Sequence, residues 1–413
     1  MIGLENSNFS LFFDLINYSI ILFLIYIYFY KQIINKFSFY ALAIFCATPF
    51  FGNDVLFSLN IFPDQSKYIN NVIHARENFF NFLLDFYNGE IDKIKISFLN
   101  LNHNQFPKII GTSIFISLIP LPFIETTQSL AFFCKFIFLI WFVFIITNYT
   151  NKRKNLDYRL LFLIFPSVLL FSSVALKDLY ILVFFHLSLY SIFIKKYYLF
   201  PISLLLIGIL RVELVPIVLI ISISYIYFDS KTFNKIIKST LYYETIKFII
   251  FLIIIGYGLY FILNIINLEL LIEKINNRRI GYYHEGDLNN ELELLSFNLD
   301  QQISFFVRKI IFAIFTPLFS KSDSMFLEIF IIENITILIL FVYLLIKIFK
   351  ISFSLGVFYT FAYIIINLTV GIVVINDFAI YRYKVTLLLA LVLIMVDELN
   401  RYKNNENTLF YKS

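Results

Sequence analysis

The stretch "FPSVLLFSSVALKDLYILVFF", residues 165–185, decides how this chain is read. Nearly every side chain in it is apolar, yet Lys177 and Asp178 stand side by side in the middle. Apolar sequence continues on both flanks, over 159–176 and 179–194. Each flank is close to the length that crosses a hydrocarbon core of about 30 Å. The charged pair therefore marks a turn between two membrane spans. The side of that turn follows from its neighbours. "NKRKNLDYR" (151–159) precedes the pair of spans and "KK" (195–196) follows it. Short basic connectors stay on the cytoplasmic side, so the turn carrying Lys177 and Asp178 belongs on the outer side.

The rest of the chain fits that frame. Of 413 residues, 60% are hydrophobic and 15% charged, whereas about a quarter of a globular chain is charged. Further apolar runs cover 11–30, 37–53, 129–147, 246–267, 326–346, 351–375 and 380–397. Three more segments are ambiguous: 109–124, 199–228 and 303–319. The expectation is an all-α, polytopic transmembrane helical bundle with about 10–12 membrane segments. It forms a single integral membrane domain over 1–413, with outer loops near 54–107 and 268–302. No internal repeat is visible. The N-terminus lacks a basic leader and a small-residue cleavage site, so 11–30 reads as a retained span.

Prolines and charges refine the ambiguous segments. In "LRVELVP" (210–216), Arg211 and Glu213 interrupt an apolar run and Pro216 marks a break. Two half-spans meeting near the outer side are expected there, as occurs where backbone lines a protein cavity. Pro120 and Pro122 make 109–124 a shallow or re-entrant segment. Arg308 and Lys309 make 303–319 an interfacial helix. In 60–89, Ile69, Val72, Ile73, Phe80, Leu83 and Leu84 recur at helical spacing, with Asn70, Asn71, Arg76, Glu77 and Asn81 on the other face. That pattern predicts an amphipathic helix lying on the outer surface.

Several chemistries are excluded. The net charge of +5 comes from connectors that set orientation, and nucleic acid is not an expected partner. Cys46 and Cys134 lie in apolar runs and imply neither a disulfide framework nor a metal site. There is no phosphate-binding glycine loop, no Asp-x-Asp and no Gly-x-Ser-x-Gly elbow. His74, His103, His186 and His284 are scattered, and His186 reads as a hydrogen-bonded core residue. No cofactor and no metal are expected.

What the pattern does offer is a set of ionisable groups on the outer side. Asp64, Lys67, Arg76 and Glu77 come from the first loop, Lys177 and Asp178 from the central turn, and Arg211 and Glu213 from the broken run. Arg278, Arg279, Glu285 and Asp287 come from "RRIGYYHEGD" (278–287), and Asp377, Arg382 and Lys384 from the last turn. Each pair also has a plain reading as a helix terminus, and Asp64 has one as a cap for the helix after it. Outward cations at this depth suit a lipid-linked pyrophosphate, which guanidinium groups bind bidentately. Transfer from such a lipid needs little more than cations for the leaving group and a carboxylate as base. Asp64 is the preferred base.

The motif "FPSVLLFSSVALKD" (165–178), the closing "YRYK" (381–384) and the late outer loop 268–302 resemble O-antigen polymerases. These are multi-spanning proteins of bacterial surface-polysaccharide clusters. The first-loop Asp and its helix are also similar to the C-type membrane glycosyltransferases. The resemblance covers most of the chain as layout but only about 25 residues as motif, and the paired RxxxR loops of many O-antigen polymerases are lacking. It implies joining of oligosaccharide repeat units carried on undecaprenyl pyrophosphate, at the outer face of the bacterial inner membrane. Lys177, Arg211, Arg278, Arg279 and Arg382 would bind the substrate, and Asp64, Asp178 and Glu213 would be candidate bases. The implied partners are the lipid-linked oligosaccharide, membrane lipid and a chain-length regulator protein. Addition of a single sugar from a polyprenyl phosphate is the alternative, and a flippase for the same lipid is a third reading.

Overall fold

A computed structural model describes residues 8–51, parts of 69–76, 106–148 except 125, 158–174, 177–229, parts of 272–280, 294–295, 299–318, 325–374 and 377–410. No β-strand occurs among them. The helices are α1 (Asn8–Tyr30), α2 (Lys36–Ala47), α3 (Phe106–Ser117), α4 (Thr127–Asn148), α5 (Pro166–Ser173), α6 (Lys177–Phe193), α7 (Leu199–Arg211), α8 (Val215–Asp229), α9 (Leu299–Phe315), α10 (Met325–Ile351), α11 (Phe353–Val373) and α12 (Asp377–Phe410). Among the described residues, six helical stretches are long and apolar enough to cross a membrane: Leu11–Tyr30, Gln128–Ile145, Leu199–Phe228, Glu328–Ile351, Phe353–Ile372 and Ala379–Tyr402. The chain is an all-α, multi-pass membrane protein.

Several expected spans take another form. Residues 159–176 are not one helix: a 3-10 helix, Tyr158–Ile164, runs into α5, whose first residue is Pro166. Proline lacks an N–H and fits only the first turn of a helix, so it starts a new helix here. The 12 residues of α3 reach about 18 Å, too short to cross, and the chain then runs without helix over 119–124. The run 199–228 does break, but at Arg211, whose φ of −156° and ψ of 91° are extended. Pro216 sits harmlessly in the first turn of α8. The apolar run 246–267 lies outside the described residues.

By packing, the chain divides into two compact units, 1–187 with 198–215 and 188–197 with 216–413. In the first, α1 packs on α2 and α4, α4 on α5, and α3 on α7. The apolar stretch of α4 is 83% buried against 22% for that of α1, so α4 is the core helix and α1 covers it. Close approach is written in glycine: a Cβ at Gly111 of α3 would stand 2.5 Å from the Ile209 carbonyl oxygen of α7. The non-helical stretch after α3 is held by side chains. Asn17 of α1 donates to the Phe123 carbonyl at 2.7 Å. Asp14, one turn earlier, accepts from Ser129 at 2.6 Å and Thr126 at 3.2 Å. A carboxylate at the start of α4 also meets the positive end of that helix.

In the second unit α10, α11 and α12 pack against one another, and α9 lies along α11. A single residue, Ser352, separates α10 from α11, and its hydroxyl accepts from the Leu355 N–H. Ile332, Ile339 and Ile346 are exposed along α10, an apolar stripe at seven-residue spacing that suits lipid. The segment expected to be an interfacial helix, 303–319, packs one face on α11 and leaves Ile303, Val307 and Ile311 exposed on another. A Cβ at Gly371 would lie 2.5 Å from the Lys309 carbonyl oxygen and 3.1 Å from the Ala313 Cβ, so α9 and α11 meet backbone to backbone.

Candidate functional site

The break between α5 and α6 is followed directly by the charged pair Lys177 and Asp178. Lys177 and Asp178 form the first turn of α6, and Asp178 is 0% exposed while Lys177 is 9% exposed. Both flanks of the break rest against the middle of α4. Ser172 accepts a hydrogen bond from Lys135 Nζ, and Tyr180 lies beside the Cys134 thiol. Lys135 is the ninth residue of α4, about 12 Å along the helix from its start. The turn expected at the membrane surface is therefore recessed into the first unit, with its charges covered by protein.

Lys135 is itself a finding, because the sequence reading passes over it. It is fully buried, and its Nζ stands 3.5 Å from the Phe45 ring centroid. A lone cation at the centre of a span costs about 3 kcal/mol on insertion scales. A charged hydrogen bond returns about 2 kcal/mol, and a desolvated cation–π contact about as much. The contacts offset the cost and leave little surplus, so stability alone gives no reason for a charge here. The signal was present in "AFFCKFIFLIWF" (131–142), an apolar run with one cation and no partner in sequence.

The other candidates separate. Arg211 is buried at the end of α7, whereas Glu213, two residues on, is exposed. Of the first-loop residues, Asp64 lies outside the described residues. The described part of 69–76 is helical, and of its polar face Asn71 is buried and Arg76 half-buried. Arg76 donates to the carbonyls of Ser117, Ile119, Leu121 and Pro122 at the end of α3. Asn71, expected on the outward polar face, is instead buried. His186 accepts from Trp141 Nε1 at its Nδ1, 3.2 Å away, the core role expected of it.

In the second unit, Arg278 lies outside the described residues, and Arg279 is fully buried. Arg279 Nη1 donates to the Ile372 carbonyl at 2.6 Å and the Gly371 carbonyl at 3.4 Å, with its guanidinium 5.0 Å from the Phe305 ring centroid. It caps the end of α11, where the last four carbonyls lack helical partners. Lys384 does the same for α9: Nζ donates to the carbonyls of Ala313, Ile314 and Thr316. Arg382 is buried, 5.7 Å from the Tyr383 ring centroid. Beside it in sequence, Tyr381 donates to Glu333 of α10 at 2.6 Å. Glu333 is a buried carboxylate that the sequence reading also missed. Further along α12, Asp397 and Glu398 are buried, and Tyr225 of α8 donates to Glu398.

The candidate groups thus form two sets. Lys177, Asp178 and Arg211 belong to the first unit, as does Lys135. Arg279 and Arg382 belong to the second, where Arg279 already serves a helix end. No known protein family, curated protein or solved structure matches the chain.

Proposed function

We propose that this protein is a membrane glycosyltransferase of the surface-polysaccharide polymerase type. In this reading it joins oligosaccharide repeat units carried on undecaprenyl pyrophosphate. The observation that carries the reading is the recessed Lys177–Asp178 turn. A cation and a carboxylate are kept adjacent, buried and at the start of a helix in a chain otherwise built for lipid. Such burial is expensive and suits chemistry done away from bulk water.

The chemistry fits those residue types. The acceptor hydroxyl attacks the anomeric carbon of the donor, and its proton passes to a carboxylate, with Asp178 the buried candidate. The bond from that carbon to the pyrophosphate oxygen breaks, and the electron pair leaves with the pyrophosphate. Lys177 and Arg211 would meet the charge that develops there. Arg382 is the remaining candidate cation in the second unit. Glu213 is exposed and is the weaker base, while Asp64 keeps its place as the first-loop candidate.

Expression in cells that lack their own polymerase but make the lipid-linked repeat unit tests the reading. A ladder of polymer lengths supports it. One added sugar on a purified acceptor selects the single-sugar transferase. A second reading, movement of the same lipid across the bilayer, draws on Lys135 and on Asp397–Glu398, ionisable groups buried within spans. It is selected if repeat units reach the outer leaflet unpolymerised in a strain lacking its flippase.

A further inference from the structure

We propose that Lys135 is a positioning residue: through Ser172 it sets the break between α5 and α6 that presents Lys177 and Asp178. The proposal rests on the reading just given, in which that pair meets the substrate. Lys135 is fully buried, so it acts through another group.

The geometry gives it one route. The Ser172 hydroxyl has a single proton and donates it to the Val168 carbonyl at 2.5 Å, inside α5. Its lone pairs are left to accept, and Lys135 Nζ is the donor. The Phe45 ring, 3.5 Å from the same nitrogen, holds the ammonium from another side. Ser173, the next residue, stands 2.8 Å from Thr48 through the two hydroxyl oxygens. The last turn of α5 is thus tied to α4 by one serine and to the end of α2 by the other. Four residues after Ser173 the chain enters α6 with Lys177. An apolar side chain at 135 would be cheaper in a span, but it would release the α4 tie and with it the level at which the charged pair sits.

The Thr48–Ser173 contact offers a readout that needs no activity. In a chain with Cys46→Ala and Cys134→Ala, the pair Thr48→Cys and Ser173→Cys is oxidised in native membranes, and the cross-linked fraction is read by mass spectrometry. Full cross-linking is expected with Lys135 and with K135R. The initial rate of cross-linking should fall by about tenfold with K135M or S172A, and no further with both, as for a single lost charged hydrogen bond. S172A removes one oxygen and keeps the test valid if K135M fails to accumulate. Unchanged cross-linking in S172A and K135M overturns the proposal. In the polymer assay with native cysteines, K135M should lower ladder yield about tenfold and K135R should restore it. A K135M ladder equal to the parent's also overturns the proposal. If the parent makes no ladder, the functional reading falls, while the cross-linking result still decides whether Lys135 sets the turn.

Discussion

Lys135 and Lys384 are both lysines buried in apolar helices, and their surroundings differ in kind. Lys384 meets three backbone carbonyls at the end of α9. Lys135 meets one hydroxyl and one aromatic ring. Carbonyls at a helix end are orphans that need a donor inside a membrane protein, where water does not reach them. A cation placed there repairs a defect of the fold, as Arg279 does for α11 and Arg76 for α3. The Ser172 hydroxyl is not an orphan, since it already bonds within α5. A charge spent on it must be explained by what Ser172 holds in place. The lesson is that buried cations in a helical bundle sort by acceptor: backbone ends point to architecture, side chains point to a site.

That contrast can be broken in four places. The largest effect is expected from D178N, which keeps the side-chain shape and removes the base. Polymer yield should drop about 10³-fold at unchanged protein level, and a normal ladder would remove Asp178 from the site. K384M comes next, leaving carbonyls of α9 without a donor. Its unfolding midpoint in detergent should fall by the equivalent of about 3 kcal/mol, with activity per folded molecule retained. A midpoint equal to the parent's would make Lys384 no more architectural than Lys135 and end the comparison. G371A forces a methyl to within 2.5 Å of the Lys309 carbonyl oxygen. Parting α9 from α11 should cost about 2 kcal/mol in the same assay, and no change would mean the two backbones do not meet. W141F, which removes the donor to His186, should cost about 1 kcal/mol and leave the ladder alone. A ladder that fails while the midpoint holds would bring His186 into the chemistry.

The membrane character of the chain is legible because an apolar run of span length leaves its backbone only one way to satisfy itself in lipid. The runs that become α1, α4, α10, α11 and α12 are of that kind. Composition misleads where a run is apolar but locally interrupted: 159–176 looks continuous, yet Pro166 starts a helix inside it. Depth is also invisible in sequence. Lys177 and Asp178 are read correctly as a break between helices, but their burial depends on α4, whose Lys135 and Cys134 are about 40 residues away. The polar face of 69–76 misleads for the same reason: the carbonyls that Arg76 serves, from Ser117 to Pro122, are distant in the chain. Lys135, Asp14 and Glu333 could have been found. Each is an ionisable residue inside an apolar run, and such residues earn a functional hypothesis by default.

The junction at Ser352 bears on how the protein is made. With one non-helical residue between α10 and α11, the two helices have no slack to part, which favours their insertion as one hairpin with Lys347 and Lys350 close to its tip. Adding a flexible spacer at 352 would uncouple these two insertion events and expose each helix to the topogenic strength of its own flanks.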